Sequence, residues 1–259
     1  MVTLWRREVF PPRPRDVGQP GTDVHVWLLE LDQPEWLMSR LRQTLDARER
    51  KRASAFVFPI DSARYTAAHG LQREVLASYL GIPPAAVTYQ YGQYGKPYLG
   101  ARGASPALRF NSSRSANLCL CAVALDRDVG VDIERIRLNR DRHGIAERYF
   151  SPSERVAILA LPPEQRAQAF YDCWTRKEAL LKAMGRGLSV PLDSFEVPVT
   201  PEPLSAPKDG TVGSTPDLTT LPPVPGFAAA LAASGHGWRV AAYRLDLPGG
   251  THVAGSSPT

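Results

Sequence analysis

The stretch "KEALLKAMG" (Lys177 to Gly185) has an echo in the first half of the chain, "REVLASYLG" (Arg73 to Gly81). Each begins with a cation followed by Glu, places a Leu two residues after that Glu and a Gly seven residues after it. A repeat of this kind implies two related halves, each with a long helix, and makes a groove between halves the natural place for a ligand. Around the second copy, "FYDCWTRKEALLKAMGRGLS" (Phe170 to Ser189) reads as one helix ending in a Gly-Arg-Gly turn. Phe170, Trp174, Leu181 and Met184 fall at helical spacing as a buried stripe, and Glu178 lies on or beside it, four residues before Lys182.

Strands and helices alternate on either side of this helix. "DVHVWLLEL" (Asp23 to Leu31) reads as a strand, followed by helical patterning from Pro34 to Phe56 and from Asp61 to Leu80. Turn signals bracket "VTYQYGQYGKPYL" and "LRFNSS", and "NLCLCAVAL" (Asn117 to Leu125) reads as a buried strand. The second half repeats the recipe with helices around Asp141 to Tyr149, Pro152 to Leu159 and Pro163 to Met184, then strands at "SFEVPV" and "GWRVAAYRL". Between these strands, "TPEPLSAPKDGTVGSTPDLTTLPPVPG" is rich enough in Pro, Gly, Ser and Thr to predict a mobile loop over about 200–225. The terminal "PGGTHVAGSSPT" predicts a frayed end for the same reason.

With 259 residues, 43% of them hydrophobic, the chain can bury a sizeable core as one large domain or two small ones. No apolar run approaches the roughly 20 residues of a membrane span, and "MVTLWRREVFPPRPRD" lacks the apolar centre of a secretory signal, so a cytoplasmic protein is expected. Cys119, Cys121 and Cys173 lie in apolar surroundings without zinc-site spacing and read as buried thiols. The five histidines show no ligand spacing either. A net charge of +5 permits an acidic partner without choosing among nucleic acid, a polyanionic cofactor and an acidic protein.

In "GVDIERI" (Gly130 to Ile136), strand alternation puts Val131 and Ile133 on one face and Asp132 and Glu134 on the other. Taken alone, this is a half-buried strand whose polar face meets water. Shielded from water, two such carboxylates ~4 Å apart repel by about 4 kcal/mol at an effective dielectric near 20, and a cation relieves that. Glu178 and Lys182 can equally be an ordinary surface pair, worth a few tenths of a kcal/mol. Yet Asp132, Glu134 and Glu178 are also hard oxygen ligands suited to magnesium, and Lys182 is a point charge suited to a phosphate.

"GVDIE" followed downstream by "WTRKEALLKAMGRGL" closely resembles the 4′-phosphopantetheinyl transferase superfamily, and specifically its larger, monomeric type that activates surfactin-like peptide synthetases. The resemblance extends, in order, through "YGKPYL" (Tyr94 to Leu99), "FNSSRS" (Phe110 to Ser115), "YFSPSE" (Tyr149 to Glu154) and "LSVPLDSFEV", covering most of Leu45 to Val197. It implies an enzyme that moves the phosphopantetheine arm of coenzyme A to a serine of an apo acyl or peptidyl carrier protein and releases 3′,5′-ADP. Magnesium is then held by Asp132, Glu134 and Glu178, Glu178 accepts the serine proton, and Lys182 binds the phosphate under attack. Arg52 and Arg48 of "RERKR" look similar to the residues that grip the 3′-phosphate of coenzyme A, and Lys96 and Ser113 to further nucleotide contacts; Asp132 also faces the coenzyme. Arg114 departs from the histidine usual at its motif position; a guanidinium can bind a phosphate bidentately and keeps its charge.

The expected fold is therefore α/β, of the α+β type, with two similar halves in pseudo-two-fold arrangement, each a small, mainly antiparallel sheet packed with a long helix. Residues 1–126 form the half with the basic coenzyme A residues, and 127–259 the half with the magnesium carboxylates. The partners implied are coenzyme A and an acidic carrier of fatty-acid, polyketide or peptide type, met by the segment Arg140 to Leu161 of a monomer, with no nucleic acid and no membrane. Two other readings stand beside this one. A noncatalytic coenzyme A or carrier-binding homologue is suggested by Arg114 and opposed by the intact carboxylate trio. A nucleic-acid binder is suggested by "RERKR" and leaves that trio unexplained, because bare carboxylates repel a phosphate backbone.

Overall fold

The structure, a computed structural model, describes residues 4–10, 23–100, 107–138, 142–185, 187, 190–200 and 216–246. The first half contains β1 (Arg6–Val9), β2 (Asp23–Glu30), α1 (Glu35–Thr44), α2 (Ala47–Ser54), α3 (Pro59–Leu80), the hairpin β3 (Tyr89–Tyr91) and β4 (Pro97–Leu99), then β5 (Leu108–Ser115) and β6 (Leu118–Leu125). The second contains β7 (Val129–Arg135), α4 (Arg142–Tyr149), α5 (Pro152–Ala160), α6 (Pro163–Met184), β8 (Asp217–Thr220), β9 (Phe227–Ala233) and β10 (Arg239–Asp246).

Each half has an antiparallel run of three strands, β2-β6-β5 in the first and β7-β9-β8 in the second. The last strand of the chain, β10, returns to the first sheet, where it lies parallel to β2 on one side and to β1 on the other. Alternating side chains make four layers from these sheets. Val24, Val26 and Leu28 of β2 meet Val129, Val131 and Ile133 of β7 in a core between the sheets. Trp27 and Leu29 pack outward with α3 residues such as Leu71 and Val75, and Ala228, Ala230 and Ala232 of β9 pack with Phe170, Cys173 and Leu180 of α6. All three cysteines are buried and free.

The echo in the sequence corresponds to an echo in the packing. Both α3 and α6 are 22 residues long, start at a proline and stop at a left-handed glycine, Gly81 at φ 66° and Gly185 at φ 65°, a conformation glycine adopts without steric penalty. Arg73 on α3 and Lys177 on α6 are both fully buried. Each holds a glutamate from the first turn of the preceding short helix: Arg73 Nε lies 2.8 Å from Glu49 of α2, and Lys177 Nζ 2.9 Å from Glu154 of α5. Both glutamates also close a capping box, with Asp46 and Ser151 as the respective N-caps.

Several segments differ from the expectation. The helical run Pro34 to Phe56 is two helices, because Leu45 is extended and Asp46 starts a new helix by accepting from Glu49 N–H. "SFEVPV" is not a strand: a single 3-10 turn at Leu192–Ser194 precedes irregular chain whose backbone bonds to helix side chains instead. Phe195 O accepts from Lys177, Val197 N–H donates to Glu154, and Pro198 O accepts from Arg176. Of the expected mobile loop, residues 201–215 lie outside the described residues, but Asp217–Thr220 pairs with β9 and Leu221 is buried. Strand β9, "FAAALAA", escaped the sequence reading because alanine favours helix; here its small side chains let α6 lie close to the sheet, and packing overrides propensity. The terminal "PGGTHVAGSSPT" lies outside the described residues.

Candidate active site

Strand β7 and helix α6 meet at Gly130. A Cβ placed there would stand 2.1 Å from Ala179 O and 2.3 Å from Ala183 N, so only glycine lets the helix backbone come this near. The close approach brings Glu178 and Lys182 over the face of β7 that carries Asp132 and Glu134. That face is not turned to water: Asp132 is 3% exposed and Glu134 half-buried.

Strand β5 supplies the other wall. Asn111, Ser113 and Ser115, at alternate positions, share one face and all bond to β7. Asn111 Oδ1 accepts from Val131 N–H at 2.9 Å, Ser113 Oγ donates to Asp132 Oδ1 at 2.6 Å, and Ser115 Oγ donates to Glu134 Oε2 at 2.7 Å. Ser115 Oγ also accepts from Arg135 N–H at 3.1 Å. The sequence reading singled out Ser113 and passed over Asn111 and Ser115. The strand is polar almost throughout, with Ser112 and Arg114 between these three, so alternation alone did not single out the face that turns to β7.

Lys182 does not pair with Glu178 as a surface ladder. Its Nζ lies 2.6 Å from Asp132 Oδ1 and 3.2 Å from Val131 O. Asp132 Oδ2 is buried and has no hydrogen-bond partner among the described residues. The Glu178 carboxyl is pushed above the usual range by burial first and then by the charges of Asp132 and Glu134, with Lys182 opposing. Glu178, Lys182 and Asn111 line a cleft of about 270 Å³, together with Tyr94 to Pro97 at the turn of the β3–β4 hairpin.

Lys96 of that hairpin reaches the cleft, where its Nζ donates to Val129 O at 3.0 Å and Ala183 O at 3.2 Å. It thereby ties the hairpin to β7 and the end of α6. Burial lowers its pKa, with Arg109 reinforcing and Asp128 opposing. The remaining basic residues gather on the opposite face of β5. Arg114 lies 5.9 Å from the Phe56 ring and 5.5 Å from the Tyr65 ring, and Arg52 lies 5.5 Å from the same Phe56. Arg48, one turn earlier on α2, stacks over Tyr91 at 4.1 Å. Arg48, Arg52 and Arg114 are all exposed, so they present an open cationic and aromatic face. None of the three arginines lines the cleft.

Among the described residues, no three His, Cys, Asp or Glu side chains stand close enough together to hold a metal as they are. The donor chemistry nonetheless fits a hard divalent cation. A buried carboxylate oxygen on Asp132 with no hydrogen-bond partner among the described residues, and a glutamate whose ionisation is disfavoured by burial and then by two neighbouring carboxylates, are what such a cation relieves. A larger groove of about 610 Å³ lies between α4, α5 and α6 and contains none of these three carboxylates.

Comparison with known proteins accounts for both halves. The 4′-phosphopantetheinyl transferase superfamily profile matches residues 128–214, and the profile of the 4′-phosphopantetheinyl transferase N-terminal region matches residues 32–126. The chain is 39% identical over 228 residues to the 4′-phosphopantetheinyl transferase HetI of Nostoc sp., covering 88% of this chain and 94% of that protein. It is 35% identical over 158 residues to a 4′-phosphopantetheinyl transferase of Bacillus subtilis, covering 61% of this chain and 68% of that one. With the L-aminoadipate-semialdehyde dehydrogenase-phosphopantetheinyl transferase of Xenopus laevis it shares 30% over 177 residues, 65% of this chain and 58% of that one. A buried acidic strand face, a helix bringing glutamate and lysine onto it, and relatives that match both halves lead to one conclusion: the chain belongs to the 4′-phosphopantetheinyl transferase superfamily and is an enzyme of that class.

Proposed function

We propose that the protein transfers the 4′-phosphopantetheine arm of coenzyme A to a serine hydroxyl of an apo acyl or peptidyl carrier protein, with magnesium, releasing 3′,5′-ADP. The observation that carries this reading is the meeting of Asp132, Glu178 and Lys182 at the cleft beside Gly130. Asp132, Glu134 and Glu178 would hold the metal, which when bound supplies neutralisation of the pyrophosphate charge. Glu178 accepts the serine proton, Lys182 binds the phosphate under attack, and the incoming oxygen displaces 3′,5′-ADP in line. Phosphoryl transfer is mostly positioning and charge neutralisation, so no nucleophile is required from this chain.

The functional division falls at residues 126 and 127. Residues 1–126 contribute Arg48, Arg52 and Arg114 to the 3′-phosphate of coenzyme A, and 127–259 contribute the carboxylates. Stacking of these guanidiniums on Phe56, Tyr65 and Tyr91 supports the assignment, because it holds cations beside aromatic surface that an adenine can share. Ser113 orients Asp132, and Lys96 braces the hairpin that closes the cleft over the nucleotide.

The carrier docks along the segment Arg140 to Leu161, of which Arg140 and Asp141 lie outside the described residues. The apolar groove between α4, α5 and α6, with exposed Val156 and Leu159 and flanked by Arg142, Arg155 and Arg166, suits an acidic helix with an apolar face. The enzyme is of the larger type that activates surfactin-like synthetases, acts as a monomer in the cytoplasm, and serves carriers of fatty-acid, polyketide or nonribosomal peptide assembly. Intact mass spectrometry of an apo carrier incubated with this protein, coenzyme A and magnesium tests the reaction. A gain of one phosphopantetheine arm, lost without metal and with Glu178→Ala, is the expected result; no gain on several unrelated carriers would refute it.

A further inference from the structure

Strand β7 is the outer strand of its sheet, with β9 on one side and an open edge on the other. The N–H and C=O of one residue in an antiparallel strand point to the same side. Val131 turns both to the open edge, where side chains meet them: Asn111 of β5 accepts from its N–H at 2.9 Å, and Lys182 of α6 donates to its O at 3.2 Å. Two side chains from different elements are thereby fixed next to each other, and both line the cleft that also holds Glu178.

The bond to Val131 decides which way round the Asn111 amide sits. Its oxygen is the acceptor, so its NH2 group is the free end, and no acceptor among the described residues takes those hydrogens. Asn111 is only 6% exposed, and it lines the cleft. Lys182 is left in a similar position: two of its three ammonium hydrogens go to Asp132 Oδ1 and Val131 O, and one remains. A ligand that fills the cleft displaces the water serving these donors, and leaves them unsatisfied unless it brings oxygens of its own.

We propose that Asn111 is a catalytic residue of the transfer: its side-chain NH2 donates to an oxygen of the phosphate that leaves coenzyme A with the pantetheine arm, beside the Lys182 ammonium. The inference rests on the coenzyme A reading of the cleft and adds a neutral donor to it. Lys182 keeps its bond to Asp132, since its third hydrogen suffices. An amide beside an ammonium gives direction without a second positive charge to repel the first. Both donors hold oxygens that stay on phosphorus while the bond to 3′,5′-ADP breaks, the bond to the serine oxygen forms and the serine proton passes to Glu178.

Calorimetry with magnesium present tests this by comparing coenzyme A with 3′,5′-ADP, which lacks the transferred phosphate, on the unaltered chain, Asn111→Ala and Asn111→Asp. Alanine removes both ends of the amide, whereas aspartate keeps the acceptor for Val131 N–H and removes the donor. Asn111→Ala should bind coenzyme A about tenfold more weakly and 3′,5′-ADP within about twofold of the unaltered chain. Asn111→Asp should lose more affinity for coenzyme A than for 3′,5′-ADP. A loss with alanine and none with aspartate would make Asn111 a support for Val131 alone and overturn the proposal. So would a loss with aspartate and none with alanine, which is a charge effect, or equal losses for the two ligands. Unchanged coenzyme A binding by both variants would overturn it and leave the coenzyme A reading standing; no binding by the unaltered chain would overturn both. If Asn111→Ala does not fold, the difference between the two ligands on Asn111→Asp decides the question.

Discussion

The two halves of this protein share one frame and use it for opposite purposes. "DVHVWLLE" of β2 and "DVGVDIER", which runs through β7, match at Asp23 and Asp128, Val24 and Val129, Val26 and Val131, and Leu28 and Ile133. These valines, with Leu28 and Ile133, bury the face between the sheets in both halves. On the opposite face the first half has His25, Trp27 and Leu29, and the second has Gly130, Asp132 and Glu134. Trp27 and His25 fill the space under α3, where both bond to Tyr79 Oη, at 2.9 and 2.7 Å. Gly130 vacates the same space, and α6 drops onto the strand. Glu74, the match of Glu178, is spent on an ion pair with Arg40 of α1 at 3.0 Å, whereas Glu178 faces a cleft. One half is closed by aromatic packing, and the other trades that packing for charge. In both, a buried cation, Arg73 or Lys177, holds a capping-box glutamate.

Replacing Arg73 or Lys177 by Met leaves Glu49 or Glu154 buried without its cation, and each change should cost about 4 kcal/mol in chemical denaturation. Arg73→Met should spare the residual activity of the folded fraction, and Lys177→Met should not, because Lys177 shares α6 with Glu178. Equal loss of specific activity in both would show that the frame acts as one piece.

The next largest effect lies where the halves differ. Gly130→Ala drives a methyl into the backbone of α6 and should cost about 3 kcal/mol, at the upper end for overpacking. The displaced helix should also lower kcat/KM for carrier modification about 100-fold through misplacement of Glu178. A stable, active Gly130→Ala protein would mean that the close approach is not needed.

At the paired glutamates, Glu178→Ala should lower kcat/KM about 100-fold, worth about 2.7 kcal/mol of transition-state stabilisation, with little change in melting temperature. Glu74→Ala should leave kcat/KM unchanged and alter stability by at most about 1 kcal/mol, since Arg40 is half-exposed. The reverse pattern would place the chemistry in the wrong half.

The smallest effect is a difference in acid sensitivity. Burial lowers the His25 pKa to about 4, and Gly130 leaves the second half without a counterpart at the matching strand position. The unfolded chain therefore binds a proton at His25 between pH 6.5 and 4 that the folded chain does not, so this contribution to stability is present above pH 6.5 and lost as pH falls. Between pH 6.5 and 5 the loss is about 2 kcal/mol. His25→Phe should flatten that part of the stability curve, as read by urea titrations at several pH values. An unchanged slope would assign the acid sensitivity elsewhere.

Much of this was legible in the residues. The echo of Arg73 to Gly81 in Lys177 to Gly185 announced two halves, and the bounds expected for α6, Pro163 to Met184, are those observed. Alternation in "GVDIERI" placed Asp132 and Glu134 on one face correctly, though not its exclusion from water. The missed elements are those whose backbone or small side chains serve distant partners. "SFEVPV" has strand-like composition, but its backbone groups bond to Lys177, Glu154 and Arg176, which periodicity cannot foresee. "FAAALAA" looks helical until a helix needs a smooth surface to lie on. Asn111 and Ser115 went unremarked because their partners, Val131 N–H and Glu134, belong to another sheet.

What the sequence by itself determined was the repeated frame, the family and the inventory of carboxylates and cations, because periodicity and motif spacing are local properties of the chain. Only the tertiary structure decided which cation meets which carboxylate. Lys182 passes over Glu178, one turn away on its own helix, for Asp132 on β7, because Gly130 lets the helix backbone settle onto that strand. Burial then leaves Asp132 no solvent to turn to. Charge pairing in the interior follows distance and desolvation, which belong to the fold rather than to the order of residues.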